Sequence, residues 1–298
     1  MIRDYGYKPS PEFRLANHEN PATTRTFGLE LEVSTKRGVA HTTPEELSNR
    51  IDDIFEGLVY CKSDSSIDDG VELVTHPASL RAHMSAISWK WICKTCVKAG
   101  FRSHDADQSA GLHIHVGRQQ LGLSGADRDE TIRKIVVLVR RHWPQLVNFS
   151  RRERNRLNDW SPCPGIPNYR PDMSGAEIAE SMSGWDTLPL GHNHRYTAVN
   201  LTNVATIEFR LFRGSLKRDT VIAAIQLVDN FCEYAMTHTW DDVQSSEWLD
   251  VARCRVYNEL DQYLIKRRLM PPDLPGPSPA RRRCDFSGTD GCLDGSAI

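Results

Sequence analysis

The stretch of sequence that decides the fold is FGLELEVS, residues 27–34, in which apolar and acidic side chains alternate. This alternation predicts a β-strand, because successive side chains of an extended chain point to opposite faces. The apolar face then carries Phe27, Leu29, Leu31 and Val33. The opposite face carries Glu30 and Glu32 about 6 to 7 Å apart, so either water surrounds these carboxylates or a positive group lies between them.

Three further predicted strands, at 70–75, 112–117 and 205–213, show the same alternation. Their polar faces carry Glu72 in the first, His113 and His115 in the second, and Glu208 and Arg210 in the third. Taken singly, such patterns are typical of a strand with a wet face, a structural histidine pair or an exposed ion pair. The coincidence of four such strands favours one surface that binds a ligand.

The other predicted elements are mainly helices. Thr43 followed by Pro44 predicts the start of a helix over 44–57. The SGAD sequence from Ser124 resembles a capping box and predicts a second helix, which Pro144 kinks or interrupts. Further helices are predicted at 80–99, 219–238 and 246–268, and short strands at 57–61 and 196–201.

Residues 1–24 and 271–298 lack periodicity and are predicted to be flexible segments outside the fold. Residues 25–270 are predicted to form a single domain. Within it, residues 150–192 are expected to be irregular apart from a short helix near 176–182. A loop of this length is commonly a lid or a binding loop, so we expect a lid here.

The composition limits the classes of partner. The chain has 298 residues, 39% of them hydrophobic, and a formal net charge of −2, which gives no global field for nucleic acid or a membrane surface. No signal peptide or long apolar run is visible, so we expect a cytoplasmic protein with no membrane partner. A basic run at 140–156 keeps a nucleic-acid-binding module as an alternative, although Glu153 interrupts it and favours a solvated helix end.

The eight cysteines are spread along the chain and do not form the dense pattern of a disulfide-rich secreted domain. Most are therefore expected to be reduced thiols. Cys93 and Cys96 form a CxxC pair, but no second CxxC exists and the pair lies inside a predicted helix. A packing role is expected for both, because free cysteine is among the most buried residue types.

Carboxylates crowded on one surface cannot all remain ionised without compensation, and a divalent cation removes that cost. Oxygen-rich ligand sets with an imidazole suit Mg²⁺ or Mn²⁺ better than zinc. Magnesium in turn implies a phosphate, because the ion is usually shared between carboxylates and nucleotide oxygens. The sequence contains no Walker A, GxGxxG or kinase motif. Metal ions and arginines are therefore expected to hold the nucleotide.

The sequence resembles the amidoligase family of the glutamine synthetase-like carboxylate-amine ligase superfamily. The motifs that carry the resemblance are, in order, GLELE (28–32), DSSI (64–67), GVELVTHP (70–77), GLHIHVG (111–117) and RYTAVNLTNVATIEFRLFRGSL (195–216). The resemblance covers about residues 25–240 and leaves much of 120–192 unmatched. It implies an α+β fold, in which a curved, mainly antiparallel sheet cradles ATP and has helices packed on one face.

The resemblance also implies a role for individual residues. Two or three Mg²⁺ or Mn²⁺ ions are expected. The first ion would be held by Glu32, Glu72 and Asp64. The second would be held by Glu30, His113 and Glu208. Arg210 matches the arginine that neutralises the transferred phosphoryl group, and Arg195 would be a second phosphate contact. His115 would face the bound substrate or flank the metal.

The implied activity is that of an ATP-dependent ligase, which forms an amide or isopeptide bond through an acyl phosphate. The partners would be a small-molecule or peptide carboxylate and an amine donor, with nucleic acid not expected and an oligomer compatible with the sequence. A metal-dependent hydrolase that uses the same residues to activate water is the alternative enzyme. A degenerate ligase kept for binding is a further alternative, against which the complete acidic set argues.

Overall fold

The computed structural model describes residues 1–35, 42–55, 57–103, 110–182 and 195–274. These residues have an α+β fold with one open, mostly antiparallel sheet. The sheet order is β2-β3-β1-β6-β8-β7, and β4 and β5 also pair with β1. The strands are β1 Thr26–Thr35, β2 Val59–Lys62, β3 Gly70–Thr75, β4 Ala78–Ser79, β5 Phe101–Arg102, β6 Gly111–Gly117, β7 Val199–Asn200 and β8 Thr206–Arg213.

Strand β1 is the centre of the sheet, with β3 on one edge and β6 on the other, both antiparallel. The alternation in the sequence is confirmed, since the four apolar side chains predicted to share a face are fully buried: Phe27, Leu29, Leu31 and Val33. They belong to one continuous apolar core with residues of the helices. The register of β1 therefore fixes which face is apolar and which carries the acids.

The helices cover the apolar face. They are α1 Pro44–Ile54, α2 Leu80–Ser85, α3 Trp89–Lys98, α4 Gly125–Arg141, α5 Trp143–Ser150, α6 Arg154–Trp160, α7 Gly175–Ser181, α8 Arg218–Thr237, α9 Trp240–Ser245, α10 Trp248–Ala252 and α11 Asn258–Lys266. The two predicted helix starts are confirmed: Thr43 and Ser124 each accept a hydrogen bond in a capping box. Pro144 lies in the first turn of α5, so the predicted interruption is a break between α4 and α5.

Buried polar groups on α8 connect the helices to the sheet. Arg25, directly before β1, forms ion pairs with Asp229 and Glu233 at 2.9 and 2.7 Å. Burial raises the pKa of the Asp229 carboxyl, but Arg25 and Arg255 outweigh it and hold that pKa below its usual range. These ion pairs fix the start of β1 against α8, and so help to position the residues that follow.

The predicted helix at 80–99 is wrong as one continuous element. It is divided into α2 and α3, because the amides of Ala86 and Ile87 both donate to the carbonyl of Ala82 and end the first helix. The turn brings Trp89 against His83, with ring centroids 6.1 Å apart. Burial of these aromatic side chains therefore outweighs the helical pattern of the local sequence.

The predicted helix at 246–268 is likewise divided, into α10 and α11. The amide of Asn230 on α8 donates to the carbonyls of Ala252 and Arg255 at 2.7 and 2.9 Å. The backbone amide of Arg255 donates in return to the Asn230 side chain at 2.9 Å. These hydrogen bonds pair the backbone groups between the two helices, so the chain can turn there without continuing the helical hydrogen bonds.

Residues 150–192 contain more helix than predicted. The short helix near 176–182 is found as α7, but α6 was not predicted. Residues 183–192 lie outside the described part of the chain, and the lid role stays a prediction. The predicted strand at 196–201 is shortened to β7, because Ala198 instead donates its amide to the Pro162 carbonyl.

The N-terminal segment 1–24, which the sequence analysis leaves outside the fold, contacts the edge of the sheet. Arg3 forms a parallel bridge with Lys62, and Arg14 forms one with Ala78. Both bridges form at strands β2 and β4, whose backbone groups are available for pairing. The predicted flexibility and domain boundaries of this segment stay predictions, and residues 275–298 of the predicted tail are outside the described residues.

The described cysteines agree with the predicted packing role. Cys93 and Cys96 are buried in α3, and burial raises the pKa of the Cys93 thiol to about 12. The six cysteines in the described ranges are all free thiols. In these same ranges, none of the helices has both the length and the apolar character needed to span a bilayer.

Candidate functional site

The strand register brings the first group of carboxylates together. Glu32 of β1 lies directly opposite Glu72 of β3, and Glu72 lies opposite Lys62 of β2. Asp64, in the turn after β2, completes a group of three acids whose ligand oxygens lie within 4.8 Å of one another. The side chain of Asp64 is held by the amide and hydroxyl of Ser66, both at 2.7 Å. These are the three residues predicted to share one metal ion.

His113 lies among three carboxylates. It is opposite Glu30 of β1, at an irregularity in the pairing of β6 with β8. Its Nδ1 lies 3.4 Å from Glu30 Oε2 and 3.5 Å from Glu208 Oε1, and its Nε2 lies 3.8 Å from Glu32 Oε1. His113 therefore lies near both Glu30 and Glu208 of the second predicted set, but the group of ligand atoms that contains both of these carboxylates includes His115 in place of His113.

His115, whose role the sequence left open, belongs to the same surface. It pairs with Glu208 in the β6–β8 register, and its Nε2 lies 3.2 Å from Glu30 Oε1. Glu30, His115 and Glu208 form one group with ligand atoms within 4.8 Å, and Glu30, Glu72 and His113 form another. Because Glu30 belongs to both groups, the ligand groups overlap along the sheet.

Glu208 is held from two sides. Asn200 of β7 donates to its Oε2 at 2.7 Å, and Arg210 donates from Nη1 to its Oε1. Burial raises the pKa of Glu208, but the neighbouring histidines and Arg210 outweigh it, so that pKa is lowered overall. The Nε of Arg210 is buried and has no hydrogen-bond partner among the described residues. A buried donor of this kind is costly unless a ligand accepts from it.

Glu72 has a raised pKa. Burial, followed by the charge of Glu30, raises the pKa of Glu72 to about 9, and Lys62 opposes this only in part. Glu32 and Asp64 add to the repulsion. The nearby Tyr60 hydroxyl also has its pKa raised to about 12, by burial and then by Glu30 and Glu72. Burial and the neighbouring carboxylates therefore disfavour the charged form of Glu72, and Lys62 compensates only in part.

The donor set fits Mg²⁺ or Mn²⁺. Among the described residues, five carboxylates and three permanent cations lie there. The carboxylates are those of Glu30, Glu32, Asp64, Glu72 and Glu208, and the cations are Lys62, Arg152 and Arg210. Carboxylate oxygens with one or two imidazoles suit these hard cations, whereas structural zinc prefers closed sets of cysteine and histidine. Excess negative charge and oxygen ligands therefore make a divalent cation the natural counter-ion.

Arg152 is a site residue that the sequence analysis missed. It is only 6% exposed, and it donates from Nη1 to the carbonyl of Arg210 at 2.9 Å. Burial lowers the pKa of Arg152, and Arg210 and Arg156 add to this effect although Glu32 opposes it. No sequence signal identifies Arg152, because it lies in an irregular basic run outside the motifs.

Lys62 was missed as well, although a signal for it existed. It follows the alternation of β2, and its Nζ lies 3.8 Å from Glu72 Oε2. Gly111 contributes through its backbone, since its amide donates to Glu32 Oε2 at 2.5 Å. Both residues contact a carboxylate that the sequence had identified, but each lies one residue outside the predicted strands at 57–61 and 112–117.

Arg195, predicted as a second phosphate contact, has contacts of another kind in the structure. Its side chain donates to the hydroxyl of Tyr5 at 3.5 Å and lies over the ring of Tyr196, with 4.7 Å to the centroid. Among the described contacts, none joins it to the acidic cluster. Its role in phosphate binding stays a prediction.

Three arginines of the basic run at 140–156 bind backbone carbonyls within the protein. Arg140 donates to Pro164 at 2.9 Å and Arg141 to Ser246 at 2.8 Å. The third is Arg152, whose contact with Arg210 is described above. These contacts favour a structural role for this part of the run over a nucleic-acid surface.

Comparison with known proteins gives similarities in structure only. No family model and no curated protein matches the chain. A bifunctional glutathione synthetase from Pasteurella multocida is similar with 12% identity and a TM-score of 0.43, over 83% of this chain and 48% of that one. The prokaryotic ubiquitin-like protein Pup in complex with its ligase PafA gives 9% identity and a TM-score of 0.36, over 74% and 50%. The chain thus spans about half the length of these structures.

Proposed function

We propose that the protein is an ATP-dependent carboxylate-amine ligase, which binds ATP with Mg²⁺ or Mn²⁺ on the polar face of the sheet. The observation that carries the proposal is the overlap of three ligand groups on that face, formed by residues from strands and turns distant in sequence. The sequence motifs point to the same chemistry. Their order, from GLELE to TIEFRLFRG, is the basis of the resemblance to amidoligases.

The acidic cluster would hold the divalent ions. One set of ligands is Glu32, Asp64 and Glu72, and the other is Glu30 and Glu208 with His113 or His115. When bound, such ions neutralise charge on nucleotide phosphate oxygens and polarise the transferred phosphoryl group. The protein's contribution is to keep the carboxylates in register on a rigid sheet, so that they need not reorganise when charge develops.

Arg210 would stabilise the transferring phosphoryl group. Its Nη1 is occupied by Glu208, but its buried Nε keeps a hydrogen free for an anionic oxygen. In the first step an oxygen of the substrate carboxylate attacks the γ-phosphorus, and ADP leaves with the electrons of the broken P–O bond. In the second step the amine nitrogen attacks the acyl carbon, inorganic phosphate leaves and the nitrogen loses a proton. The net products are an amide, ADP and phosphate.

Calorimetric titration with ATP in the presence of Mg²⁺ or Mn²⁺ tests the nucleotide part of this proposal. Wild-type protein is expected to bind, and Glu32→Gln and Glu208→Gln are expected to weaken metal-dependent binding at least tenfold. The matched control is Glu180→Gln, which removes an exposed carboxylate of α7 outside the metal-ligand groups. Absence of ATP binding by the wild type, or equal binding in all four proteins, would overturn the proposal.

A second measurement separates the ligase from a metal-dependent hydrolase. Carboxylates labelled with ¹⁸O, presented as a panel of amino acids and short peptides with hydroxylamine as the amine, are incubated with ATP. A ligase transfers one label to the released phosphate and forms hydroxamate and ADP in equal amounts, because the carboxylate oxygen attacks phosphorus. A hydrolase takes the oxygen from water and forms product without ATP. Arg210→Ala is expected to lower turnover more than ATP affinity.

A further inference from the structure

A groove of about 470 Å³ lies between helices α4, α7 and α9, among the residues that the structure describes. Its volume is in the range of sites that hold small molecules. None of the residues that line it belongs to the ligand groups on the polar face of the sheet. The groove is therefore separate from the acidic cluster.

The apolar part of the groove consists of small residues and one indole ring. Gly175 and Ala179 lie one turn apart on α7, and Trp240 is the first residue of α9. A Cβ atom at position 175 would overlap the Trp240 ring, so the glycine allows the ring to pack directly on the backbone of α7. The Gln244 side chain, one turn further along α9, donates to the carbonyl of Met173. These contacts hold the indole as a fixed wall of the groove.

Opposite charges line the groove one turn apart on α4. Asp129 and Arg133 are both half-buried, and in the described part of the chain neither forms an ion pair. Side chains four positions apart on a helix are neighbours and commonly pair. Glu130 differs from Asp129, because Lys134 pairs with it at 2.7 Å and is itself held by the His238 carbonyl at 2.8 Å. The groove thus offers one carboxylate and one guanidinium for a ligand.

We propose that this groove binds the zwitterion of a free amino acid with an apolar side chain. Asp129 accepts hydrogen bonds from the ammonium group, Arg133 donates to the carboxylate through its planar fork, and the side chain lies against Trp240. A ligand with a single sign of charge would meet a repelling group, and a neutral ligand would leave two charges without compensation. The proposal does not depend on the ligase activity, because the two sites share no residue.

Calorimetry without nucleotide tests the ligand class. The standard amino acids are titrated one by one into the wild type, and the tightest ligand is compared with its N-acetyl derivative and its amide. An apolar amino acid is expected to bind tightest. Each derivative is expected to bind roughly tenfold more weakly, because it has lost one of the two charges and with it a charge-assisted hydrogen bond.

Variants of the groove test where the ligand binds. Asp129→Asn is expected to weaken binding roughly tenfold and to remove the further penalty for N-acetylation, and Arg133→Gln is expected to do the same for the amide. Ala179→Leu is expected to abolish binding, because the larger side chain fills the groove. The matched control is Glu180→Gln, which removes an exposed carboxylate of α7 that does not line the groove and should leave the affinity unchanged.

Three results would overturn the inference. The first is a wild type that binds none of the amino acids, and the second is binding that Ala179→Leu leaves unchanged. The third is loss of binding in Glu32→Gln, which would place the ligand on the polar face. Because the derivatives are compared on the wild type, equal affinity for the amino acid and both derivatives would refute the charge recognition even if a variant did not fold. The titrations contain no nucleotide, so their outcome is separate from that of the proposed function.

Discussion

The two faces of strand β1 differ in what they contribute to the protein. Leu31 and Glu32 are neighbours in sequence, and both are nearly inaccessible to solvent, at 0% and 7% exposure. Leu31 packs into one apolar core with the helices, whereas Glu32 faces Glu72, Asp64 and an imidazole. Equal burial therefore has opposite energetic consequences on the two sides of one strand.

This difference indicates that the apolar face stabilises the fold and that the polar face is the candidate functional surface. Burial of apolar surface stabilises the fold by about 25 cal/mol per Å². Burial of like charges costs free energy, and the pKa of Glu72 near 9 is the local sign of that cost. Residues that destabilise a protein in its free state are expected to be retained where a ligand compensates them.

The largest expected effect on stability comes from a substitution on the apolar face. Leu31→Ala is expected to lower the free energy of unfolding by roughly 2 to 5 kcal/mol, because a fully buried side chain leaves a cavity. Glu32→Gln, one residue away, is expected to change the free energy of unfolding by less than about 1 kcal/mol in metal-free protein. The substitution removes the repulsion between Glu32 and its neighbouring carboxylates, but it also removes a hydrogen-bonded charge, and the two effects oppose each other. Urea denaturation of both variants with EDTA measures the contrast. Similar losses in the two variants would contradict it.

An intermediate effect is expected from divalent cations. Mg²⁺ or Mn²⁺ at a hundredfold excess over its dissociation constant is expected to stabilise the wild type by about 2.7 kcal/mol, because it binds only the folded state. Leu31→Ala should show the same metal-induced increase in the free energy of unfolding, starting from a lower value, since its polar face is intact. Glu32→Gln should lose most of the increment. Thermal unfolding with EDTA and with added metal measures this increment for the wild type and both variants. An increment in Glu32→Gln equal to that of the wild type would contradict the prediction.

The smallest expected effect concerns a buried histidine on the helix side. His83 is fully buried, its Nε2 lies 2.8 Å from the carbonyl of Phe27, and burial lowers its pKa to about 4. The neutral ring contributes stability that is fully present above the unfolded pKa of about 6.5 and is lost as the pH falls below it towards 4. Between pH 7 and 5.5 the wild type should lose about 1 kcal/mol relative to His83→Gln.

Urea denaturation of the wild type and His83→Gln at the two pH values measures that difference directly. Glutamine keeps a donor for the Phe27 carbonyl and does not titrate, so the comparison isolates the charge on the ring. A constant difference between the two proteins across this pH range would show that His83 is not buried in the neutral form.

The parts of the fold that the sequence predicted depend on local patterns. The alternation in β1 has a period of two, which already separates Leu31 from Glu32, and the caps at Thr43 and Ser124 involve residues only three positions away. The cluster residues on the strands follow from the same alternation once the strands pair, whereas Asp64, in the turn after β2, was implied only by the family resemblance. Local spacing thus identified most of the candidate site.

The parts that the sequence did not predict depend on contacts between distant residues. Asn230 ends α10 from another helix, and Trp89 packs on His83 across the turn between α2 and α3. Arg152 enters the site only because α5 ends in a left-handed turn, and nothing in a basic run predicts which arginine turns inwards. Tertiary packing decides such positions, and propensity alone does not.

The central claim, that the polar face binds divalent cations, is tested most directly by counting Mn²⁺ ions with electron paramagnetic resonance. The wild type is expected to bind more than one Mn²⁺ per chain, with Glu32→Gln and Glu208→Gln each losing one ion and Glu180→Gln losing none. A wild type that leaves all added Mn²⁺ free in solution, or variants that bind as many ions as the wild type, would contradict the account.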